Sequence, residues 1–478
     1  MSRRGSLCLV LHSHMPYVEG FGTWPFGEEW LFEAVATSYL PLLDLLDGSG
    51  ITLTVTPVLA DQLEALRDGE AGDRLATFLR DLRPLVHADD AAEADANGQP
   101  DVAAELRRAA GDYERANARF EALGRDLIGA LGKLEGVELW TSAATHAVLP
   151  MLATRVGTAL QLAAGVESHE RRFGPWRGGF WLPECAYRPG LEADLVERGV
   201  HAFCVDQTDA FGAGSMDHLE PVATPEGVIA VPIDWQTICL IWDMDSGYPA
   251  SPEYRDYHRR TRYDLKPWNS GGATYSAPAA RELAREHARS FLADVGERLD
   301  RYAEERDREG LVCCALDTEL LGHWWYEGPA WLAAVIEEAP AAGVELRTVS
   351  DALARCEPAE RPLAGSSWGT PKDLTTWDSP AVAEIAFAQR RGELSVVAAA
   401  TRLGRTPRIE RAVRELLALQ SSDWAFQVAR NQAGDYPLER VRRHSAALHS
   451  ALSHAEPDPD PAVRSLQPEL DLSPLVLP

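Results

Sequence analysis

The sequence predicts an α/β fold, a distorted (β/α) barrel with an inserted helical subdomain and a C-terminal helical domain. Short apolar runs rich in β-forming residues alternate with helical stretches, as expected for parallel strands joined by helices. No Gly-rich phosphate-binding loop follows any of these runs, which favours a closed barrel over an open doubly wound sheet. The predicted strands lie at residues 6–12, 51–59, 137–142, 179–183, 202–205, 228–233 and 311–316.

The positions of these runs also predict the domain organisation. Residues 1–60 and 135–355 form the barrel, and residues 61–134, rich in Ala, Leu, Glu and Arg, form the inserted helical subdomain. The strand pattern stops after Cys356, and a helical pattern through residues 356–455 predicts the C-terminal domain. Residues 456–478 alternate Pro and Asp without periodicity, and we predict an extended tail.

The composition limits the classes of partner. The chain has 478 residues, of which 45% are apolar and 25% charged, as is usual for a globular protein. Its 73 acidic and 46 basic side chains give a net charge of -27, which repels phosphate backbones and anionic lipid surfaces. An acidic surface also serves solubility alone. We expect a neutral polymer or small molecule as the partner, with no nucleic acid and no membrane.

The N-terminus and the cysteines favour a cytoplasmic location. The first apolar run is interrupted by His12 and His14, so it is typical neither of a signal peptide nor of a membrane span. The seven cysteines are an odd number, and none forms a CxxC pair. Reduced thiols in a cytoplasm explain this pattern better than disulfides or structural zinc.

Polar residues follow the apolar runs at the points where the strands would end. His12 and His14 close the first run, Glu184 the fourth and Asp317 the seventh. In a parallel barrel these strand ends meet on one face, where active sites lie. Converging polar groups are costly as core residues, so the pattern predicts a functional site. The other polar residues at strand ends are His146, Asp206, Asp234, Glu319 and His323.

Two carboxylic acids are the strongest catalytic candidates. Glu184 is bracketed by Trp181 and Pro183, and partial desolvation suits a nucleophile or an acid with a raised pKa. The alternative is a carboxylate that caps the next helix or pairs with Arg188. Asp317 precedes the aromatic residues 324–326, which either stack on sugar rings or belong to the core. Glycoside cleavage needs two carboxyl groups across the bond, about 5–5.5 Å apart in a retaining enzyme.

The residues alone leave a second chemistry open. His12 and His14 alternate as metal ligands often do, and Asp206 or Asp317 would complete a divalent site. A Ser or Cys nucleophile is disfavoured, because there is no GxSxG motif and the cysteines lie mostly in apolar runs.

Several motifs in fixed order resemble family 57 of the glycoside hydrolases, specifically its α-1,4-glucan branching enzymes. The main ones are HSHMPY at residues 12–17, WLPE at 181–184 and DTELLGHWW at 317–325. Residues 24–30, 145–150, 367–369 and 420–424 extend the resemblance over nearly the whole chain. The combination is specific, although each motif alone is weak.

The resemblance implies a (β/α)7 barrel and a C-terminal domain that completes a glucan cleft. It implies a retaining mechanism with Glu184 as the nucleophile and Asp317 as the general acid/base, and no metal or other cofactor. The branching reaction cleaves an α-1,4-glucan and transfers the chain to a 6-hydroxyl group, in a monomer or small homo-oligomer. The implied substrate-binding residues are His12, His14 and His146 for sugar hydroxyls, Trp24, Trp368, Trp377 and Trp268 for stacking, and His323, which either orients the carboxyl groups or is structural.

One stretch departs from the family. The branching enzymes carry a long loop with a tyrosine after the sixth strand, but residues 232–242 look short here and contain no tyrosine. A poorly covered site passes the glycosyl-enzyme to water, so we expect hydrolysis beside branching. The alternatives are an α-glucan hydrolase or 4-α-glucanotransferase on the same carboxylates, or a catalytically idle glucan-binding protein.

Overall fold

The computed structural model describes residues 5–243, 245–453 and 465–476 of the chain. Each of the seven predicted runs contains a β-strand, so these predictions are confirmed. The second run yields a shorter strand than predicted, because Pro57 begins a helix, where its fixed φ suits the first turn. The strands in these residues are β1 (Gly5–Ser13), β2 (Thr52–Val55), β3 (Glu138–Ser142), β4 (Gly179–Trp181), β5 (Ala202–Val205), β6 (Val222–Ala223), β7 (Ile229–Pro232), β8 (Gly310–Asp317) and β9 (Glu345–Leu346).

Seven parallel strands form the wall of the barrel in the order β7-β5-β4-β3-β2-β1-β8. Short β6 pairs antiparallel with β7, and β9 pairs with β1. Within the described ranges β7 and β8 share no strand ladder, but the backbone N–H of Asp234 donates to the carbonyl of Cys313 across this gap (N···O 2.8 Å). The barrel is therefore distorted at one seam, and the predicted fold class is confirmed.

Helices connect the strands and cover the barrel. Those in the described part of the chain are α1 (Glu28–Ala34), α2 (Leu40–Leu46), α3 (Pro57–Asp68), α4 (Glu70–Thr77), α5 (Arg83–Ala96), α6 (Pro100–Ala122), α7 (Leu127–Leu131), α8 (Arg155–Phe173), α9 (Leu191–Val196), α10 (Thr208–Phe211), α11 (Trp235–Trp242), α12 (Ala277–Arg306), α13 (Gly328–Ala342), α14 (Val349–Leu353), α15 (Ala383–Leu403), α16 (Pro407–Leu419), α17 (Asp423–Ala429) and α18 (Tyr436–Ser453). None of these is both long and apolar enough to cross a membrane. Helices α3 to α7 lie where we predicted the inserted subdomain, although its exact limits stay a prediction.

The C-terminal helices dock directly onto the loop that follows β1. Arg440 of α18 is buried, and its guanidinium donates to the carbonyl oxygen of Tyr17. The same guanidinium lies 3.7 Å from the ring centroid of Phe21 and 4.5 Å from that of Trp424. A buried cation between aromatic faces is held in one place, because leaving them would forfeit both its hydrogen bond and its ring contacts. These contacts fix α17 and α18 at the mouth of the barrel.

The structure corrects the prediction of an extended tail over residues 456–478. Residues 465–476 pack onto the protein, with Leu466, Leu472 and Leu475 buried against the C-terminal helices. The backbone N–H of Gln467 donates to the Asp61 carboxylate (N···O 2.8 Å). The Pro and Asp pattern concealed these three leucines, whose burial holds the segment. The remaining tail residues, 456–464 and 477–478, lie outside the described residues.

All seven cysteines are free thiols, and five of them are buried. Cys204 and Cys313 approach across the barrel interior, with their sulfur atoms 4.0 Å apart. Cys239 is exposed, although it lies in an apolar run of the sequence. It lies on the exposed face of α11, so an apolar neighbourhood in the sequence did not predict burial.

An ion pair supports the seam of the barrel. Arg298 of α12 is 4% exposed, and its guanidinium binds both carboxylate oxygens of Asp234 (2.6 and 2.9 Å). It also donates to the carbonyl oxygens of Gly214 and Ser215 (3.1 and 3.0 Å). Because Asp234 follows β7 and bridges to β8, Arg298 holds together the two strands that lack a ladder.

We predict that Arg298→Met lowers the free energy of unfolding by about 3–5 kcal/mol, because it leaves the Asp234 carboxylate buried without a partner. Chemical denaturation followed by circular dichroism measures the change. Arg301→Met is the matched control, since Arg301 is exposed on the same helix and pairs only with Glu305. That change should be within about 0.5 kcal/mol of zero. Equal effects of the two substitutions would contradict the role of Arg298 at the seam.

Candidate active site

The predicted strand-end residues converge at the C-terminal end of the barrel. The register of β1 and β8 sets His12 beside Asp317. The Nε2 atoms of His12 and His146 are 2.9 Å apart, and His146 Nδ1 lies 3.7 Å from a carboxylate oxygen of Glu184. The negative charge of Glu184 is in turn close enough to contribute to a raised pKa of Asp317. The structure thus brings together these four residues, which the sequence predicted as one site.

The backbone at Glu184 is in an unusual conformation. Glu184 has φ 61° and Cys185 has φ 48°, both in the left-handed region that L-residues rarely adopt. Two hydrogen bonds hold this turn: the Cys185 N–H donates to the carbonyl of Leu182 (2.8 Å), and the Trp368 N–H donates to the carbonyl of Glu184 (2.9 Å). Strained residues concentrate at functional sites, so the turn itself indicates a function for Glu184.

The Glu184 carboxylate receives two side-chain hydrogen bonds. Trp368 Nε1–H donates to one oxygen (2.9 Å) and Ser422 Oγ–H to the other (2.7 Å). Burial raises the pKa of Glu184, whereas these two donors act in the opposite direction because they favour the charged form. Arg188 is exposed and is not among these partners. The alternative that Glu184 merely pairs with Arg188 is therefore wrong.

A chain of hydrogen bonds extends from Glu184 to His12 and fixes both imidazole tautomers. Because the Ser422 hydroxyl donates to Glu184, it accepts from His146 Nδ1–H (2.8 Å). The Nε2 atom of His146 then carries no proton and accepts from His12 Nε2–H (2.9 Å). Burial lowers the pKa of both histidines, so both are neutral at pH 7. The Nδ1 atom of His12 is left as a buried acceptor with no partner among the described residues.

His14, in contrast, favours its charged form. Its Nε2–H donates to a carboxylate oxygen of Asp423 (2.9 Å), and its Nδ1 atom is hydrogen-bonded to the hydroxyl of Thr56 (3.1 Å). Burial opposes both charges, but their attraction outweighs it. The pKa of His14 is raised, and the pKa of Asp423 is lowered to about 2. The His14 ring stacks on the ring of His146 with their centroids 4.1 Å apart.

Asp317 occupies a very different environment from Glu184. Burial raises its pKa well above the usual value, and the negative charges of Glu319, Glu184 and Asp423 raise it further. No side chain or backbone group of the described residues donates a hydrogen bond to its carboxyl group. Burial also raises the pKa of Glu319 to about 7, although the Tyr39 hydroxyl donates to that carboxylate. Asp317 is therefore the carboxyl group of the cluster that most favours the protonated form.

Two of the predicted stacking residues have structural contacts. Trp368 is half-buried and holds Glu184 through both its indole and its backbone N–H groups, so it positions that carboxylate whether or not it also stacks on a sugar. Trp377 is 4% exposed and donates to the carbonyl of Ser422 (3.3 Å). Its ring is covered by protein, which contradicts the stacking that we predicted. The sequence does not show whether a tryptophan side chain is exposed. Trp377 instead helps to hold Ser422 in place through its hydrogen bond to the Ser422 carbonyl.

Trp24 and Trp268 lie outside the cluster. Trp24 is 46% exposed in the loop between β1 and α1, where its stacking on a glucan stays a prediction. Trp268 packs beside Val86 and Leu265 at the hairpin of α5 and α6, and Arg259 lies 4.0 Å over its ring. Arg259 thus covers one face of the Trp268 ring, and Trp268 does not lie beside the carboxyl groups.

His323 does not contact the carboxyl groups either. Burial, Lys266 and Arg260 together lower its pKa to about 3, so it is neutral. Its ring meets the ring of Trp324 edge-on, with centroids 5.0 Å apart. The orienting role that we considered for His323 has no contact to support it.

The connection after β7 corrects a further prediction. The chain continues from α11 through residues 243–276 before α12 begins, so the cover is not short. Trp235 is fixed at its base, because its Nε1–H donates to Asp206, and Lys372 lies 3.2 Å over its ring and 2.9 Å from the same carboxylate. The sequence prediction treated residues 232–242, which end with α11, as the whole connection after β7. The tyrosines that we missed lie beyond it, at Tyr248, Tyr254, Tyr257, Tyr263 and Tyr275.

Sequence analysis missed Ser422 and Asp423 as functional residues. Both lie where α17 begins, and Ser421 Oγ–H donates to Asp423. A Ser-Ser-Asp sequence before a helix is typical of an N-terminal cap, which gives no signal for a catalytic contact. Only the docking of α17 against the barrel, through the Ser422 N–H and the carbonyl of His146 (3.2 Å), shows their role.

The structure changes the set of residues that could bind a metal ion. The Asp206 carboxylate forms an ion pair with Lys372 and a hydrogen bond with Trp235, so it does not form a ligand set with His12 and His14. The set that lies close together is His14, His146 and Asp423, whose nearest ligand atoms are within 4.8 Å of one another. A proton already links His14 to Asp423, and a metal ion would have to displace it. We continue to expect no metal.

Comparison with known proteins identifies relatives over nearly the whole chain. The profile of glycosyl hydrolase family 57 matches residues 124–363, and a profile described as 1,4-alpha-glucan branching enzyme, C-terminal, matches residues 393–463. The 1,4-alpha-glucan branching enzyme of Thermococcus kodakarensis is 34% identical, in an alignment that covers 93% of this chain and 73% of that enzyme.

Solved structures agree with this result. A GH57-type branching enzyme from Pyrococcus horikoshii superposes with a TM-score of 0.91 and 29% identity, covering 99% of this chain and 97% of that one. An alpha-amylase from Thermotoga maritima superposes with a TM-score of 0.82, covering 99% of both chains. At 24% identity, this second likeness shows the fold alone.

We predict that EDTA and added zinc leave both the melting temperature and the activity unchanged. A metal ion that binds the folded state at a hundred times its Kd would stabilise the protein by about 2.7 kcal/mol, which a thermal melt resolves. Loss of activity in EDTA that zinc restores, together with a zinc-dependent rise in melting temperature, would establish a metal site at His14, His146 and Asp423.

Proposed function

Since the chain belongs to glycosyl hydrolase family 57, in the group of its 1,4-alpha-glucan branching enzymes, we propose that it cleaves α-1,4-glucan chains and transfers the cleaved piece to a 6-hydroxyl group. The observation that carries the proposal is the contrast between two buried carboxyl groups. Glu184 receives two hydrogen bonds, whereas Asp317 receives none and is surrounded by negative charge. Environments that push two carboxyl pKa values apart separate a nucleophile from an acid.

The surroundings of each carboxyl group suit one role. Donors from Trp368 and Ser422 favour the anionic form of Glu184, which is the form that attacks. Burial and the nearby carboxylates keep Asp317 protonated, which is the form that gives its proton to a leaving oxygen. The strained turn at Glu184 points the same way, since it fixes the direction of the carboxylate.

The reaction then has two steps. Asp317 protonates the glycosidic oxygen while Glu184 attacks the anomeric carbon, which releases one glucan chain and leaves the other as a glycosyl ester on Glu184. Asp317, now a carboxylate, takes the proton from a glucan 6-hydroxyl group as that oxygen attacks the same carbon and Glu184 leaves. Two displacements retain the anomeric configuration.

The three histidines suit the binding of sugar hydroxyls beside Glu184. His12 offers an acceptor, because its Nδ1 atom is buried and has no partner within the described residues. His14 contributes a positive charge that favours the anion of Glu184. His146 links the two through Ser422, so its role is to hold the tautomers in place. These substrate contacts are proposals, as are the stacking roles of Trp24, Trp268 and Trp368.

The proposal also covers the partner, the location, the oligomeric state and the division of the site between domains. The partner is an α-glucan polysaccharide, with no nucleic acid or membrane surface, and the protein acts in the cytoplasm as a monomer or small homo-oligomer. The barrel carries the catalytic residues, and the C-terminal helices supply Ser422 and Asp423. The longer cover after β7 weakens our reason for expecting hydrolysis, and the proportion of hydrolysis to branching stays a prediction.

A linear amylose assay separates this proposal from its alternatives. New α-1,6 linkages and new reducing ends are counted together, and iodine staining follows the loss of long linear chains. Branches without matching reducing ends support branching. Reducing ends alone would indicate a hydrolase, redistribution of α-1,4 chain lengths alone a 4-α-glucanotransferase, and no change at all a glucan-binding protein.

We predict that Glu184→Gln and Asp317→Asn each abolish glucan cleavage while leaving the fold intact, because each substitution keeps the side-chain volume. Removal of a general acid costs roughly 10²- to 10⁴-fold in rate, so Asp317→Asn should fall in this range. Unchanged melting temperatures confirm folding, and Glu337→Gln, an exposed carboxyl on α13, is the matched control. A tenth of the wild-type rate in Glu184→Gln would exclude Glu184 as the nucleophile.

We predict that Ser422→Ala moves the acidic limb of the pH–rate profile to higher pH. The Ser422 hydroxyl lowers the pKa of Glu184, so its loss raises that pKa, and the reactive carboxylate is lost at a higher pH as the solution is acidified. A hydrogen bond to a charged group contributes about 1.5–3 kcal/mol, which bounds the shift at one to two pH units.

Two variants control this test. Ser422→Thr keeps the hydroxyl and should keep the acidic limb close to wild type. Ser395→Ala removes an exposed hydroxyl on α15 that bonds only the carbonyl of Arg391, and it should change nothing. The alkaline limb, which reports Asp317, should stay in place throughout. A lower rate with an unmoved acidic limb would mean that Ser422 does not act through Glu184.

A further inference from the structure

Trp324 is a large aromatic side chain that the proposed mechanism does not use. It is 46% exposed, although it lies in the loop that begins at Asp317. Two rings hold it in this position: His323 meets it edge-on at 5.0 Å, and Tyr257 lies against it at 5.1 Å between centroids. An exposed tryptophan that neighbouring rings keep in a fixed orientation offers a ready binding face.

The backbone ties this tryptophan to the carboxyl cluster. The Trp324 N–H donates to the carbonyl of Glu319 (3.2 Å), and the Trp325 N–H donates to the carbonyl of Leu320 (2.8 Å). Glu319 in turn accepts the backbone N–H of His14 at the floor of the site (3.2 Å). Trp324 is therefore attached to the rim of the site on the side of Asp317.

Polar groups with unused hydrogen-bonding capacity surround this face. The Lys266 ammonium lies 3.8 Å from the ring centroid of Tyr257, and it contributes to the lowered pKa of His323. In the part of the chain that the structure describes, neither the Lys266 ammonium nor the ring nitrogens of His323 have a hydrogen-bond partner. Burial lowers the pKa of Lys266 to about 8, and the charge of Arg260 lowers it further, although the charge of Glu33 acts in the opposite direction. Partly buried polar groups without partners indicate a ligand that supplies hydroxyl groups.

We propose that Trp324, supported by Tyr257 and flanked by Lys266 and His323, is a stacking subsite for the glucan chain that accepts the transferred piece. The proposal rests on the proposed function. Asp317 activates the acceptor hydroxyl, so the acceptor enters on the side of Asp317, and Trp324 is the exposed aromatic face of that loop. A sugar ring fits the site because its apolar face stacks on an indole while its hydroxyl groups meet the two unused polar groups.

The test measures how the glycosyl-enzyme divides between acceptor and water. The donor is an aryl maltooligoside, whose small leaving group does not need the acceptor side, and maltoheptaose is added as the acceptor. Trp324→Ala should raise the half-saturating acceptor concentration roughly threefold to tenfold, the value of one lost aromatic contact. The ratio of transfer to hydrolysis at low acceptor should fall by the same factor. Because this ratio is internal to each sample, a partly unfolded variant does not distort it.

Two further variants make the result specific. Trp324→Tyr keeps an aromatic face and should recover most of the ratio. Phe387→Ala removes an exposed aromatic from α15, where it is 65% exposed, and should leave the ratio unchanged. An unchanged ratio in Trp324→Ala, or an equal fall in Phe387→Ala, overturns the proposal.

A binding experiment separates this proposal from the proposed function. If wild type forms no α-1,6 linkages and no transfer products, the branching function fails, whereas the subsite is still decided by titrating maltoheptaose into Glu184→Gln. Binding that weakens roughly threefold to tenfold when Trp324→Ala is added supports a glucan subsite. Equal affinity with and without Trp324 overturns it.

Discussion

The hydrogen bond from Ser422 to Glu184 joins two parts of the chain that are more than 200 residues apart, and the order of the site depends on it. Glu184 belongs to the barrel, whereas Ser422 lies where α17 begins. Three contacts bring that residue to the barrel mouth: the Ser422 N–H donates to His146, Thr145 Oγ–H donates to Leu417, and Trp377 donates to Ser422. Ser422 also sets the tautomers of His146 and His12. If the C-terminal region were not docked, Glu184 would lose a hydrogen bond, and the two histidines would have no fixed tautomer.

Electrostatics then divides the labour between the carboxyl groups. Glu184, Asp317, Glu319 and Asp423 lie close together, and His14 is the histidine among them whose pKa is raised. Such a cluster cannot keep every carboxyl group ionised, because like charges in a buried site raise one another's pKa. Asp423 has the cation, and Glu184 and Glu319 have hydrogen-bond donors, so Asp317 is the carboxyl group of the cluster that has neither. These surroundings explain why we propose Asp317 as the general acid.

Sequence patterns predicted the parts of the site that are local. Seven apolar runs marked the strands, and the rule that barrel sites form at strand ends found His12, His14, His146, Glu184 and Asp317. Residues 420–424 contributed to the family resemblance, but the contacts of Ser422 and Asp423 depend on docking and were not predicted, because these residues have the sequence of an ordinary helix cap. The same limit explains the errors. Exposure of a tryptophan or burial of three leucines in a Pro-rich tail is decided by partners far away in sequence.

The segment before the C-terminal helices has a structural reason to be part of the site. Tyr187 and Ser366 exchange two backbone hydrogen bonds (2.9 and 3.0 Å), so residues 366–368 run antiparallel to the turn that carries Glu184. Trp368 then holds Glu184 twice, by its backbone N–H at the carbonyl and by its indole N–H at the carboxylate. A left-handed turn of two L-residues costs about 1–3 kcal/mol each and persists only where its surroundings determine it. This short bridge supplies that restraint at Glu184, the residue that we propose as the nucleophile and whose direction would decide whether attack on an anomeric carbon is in line.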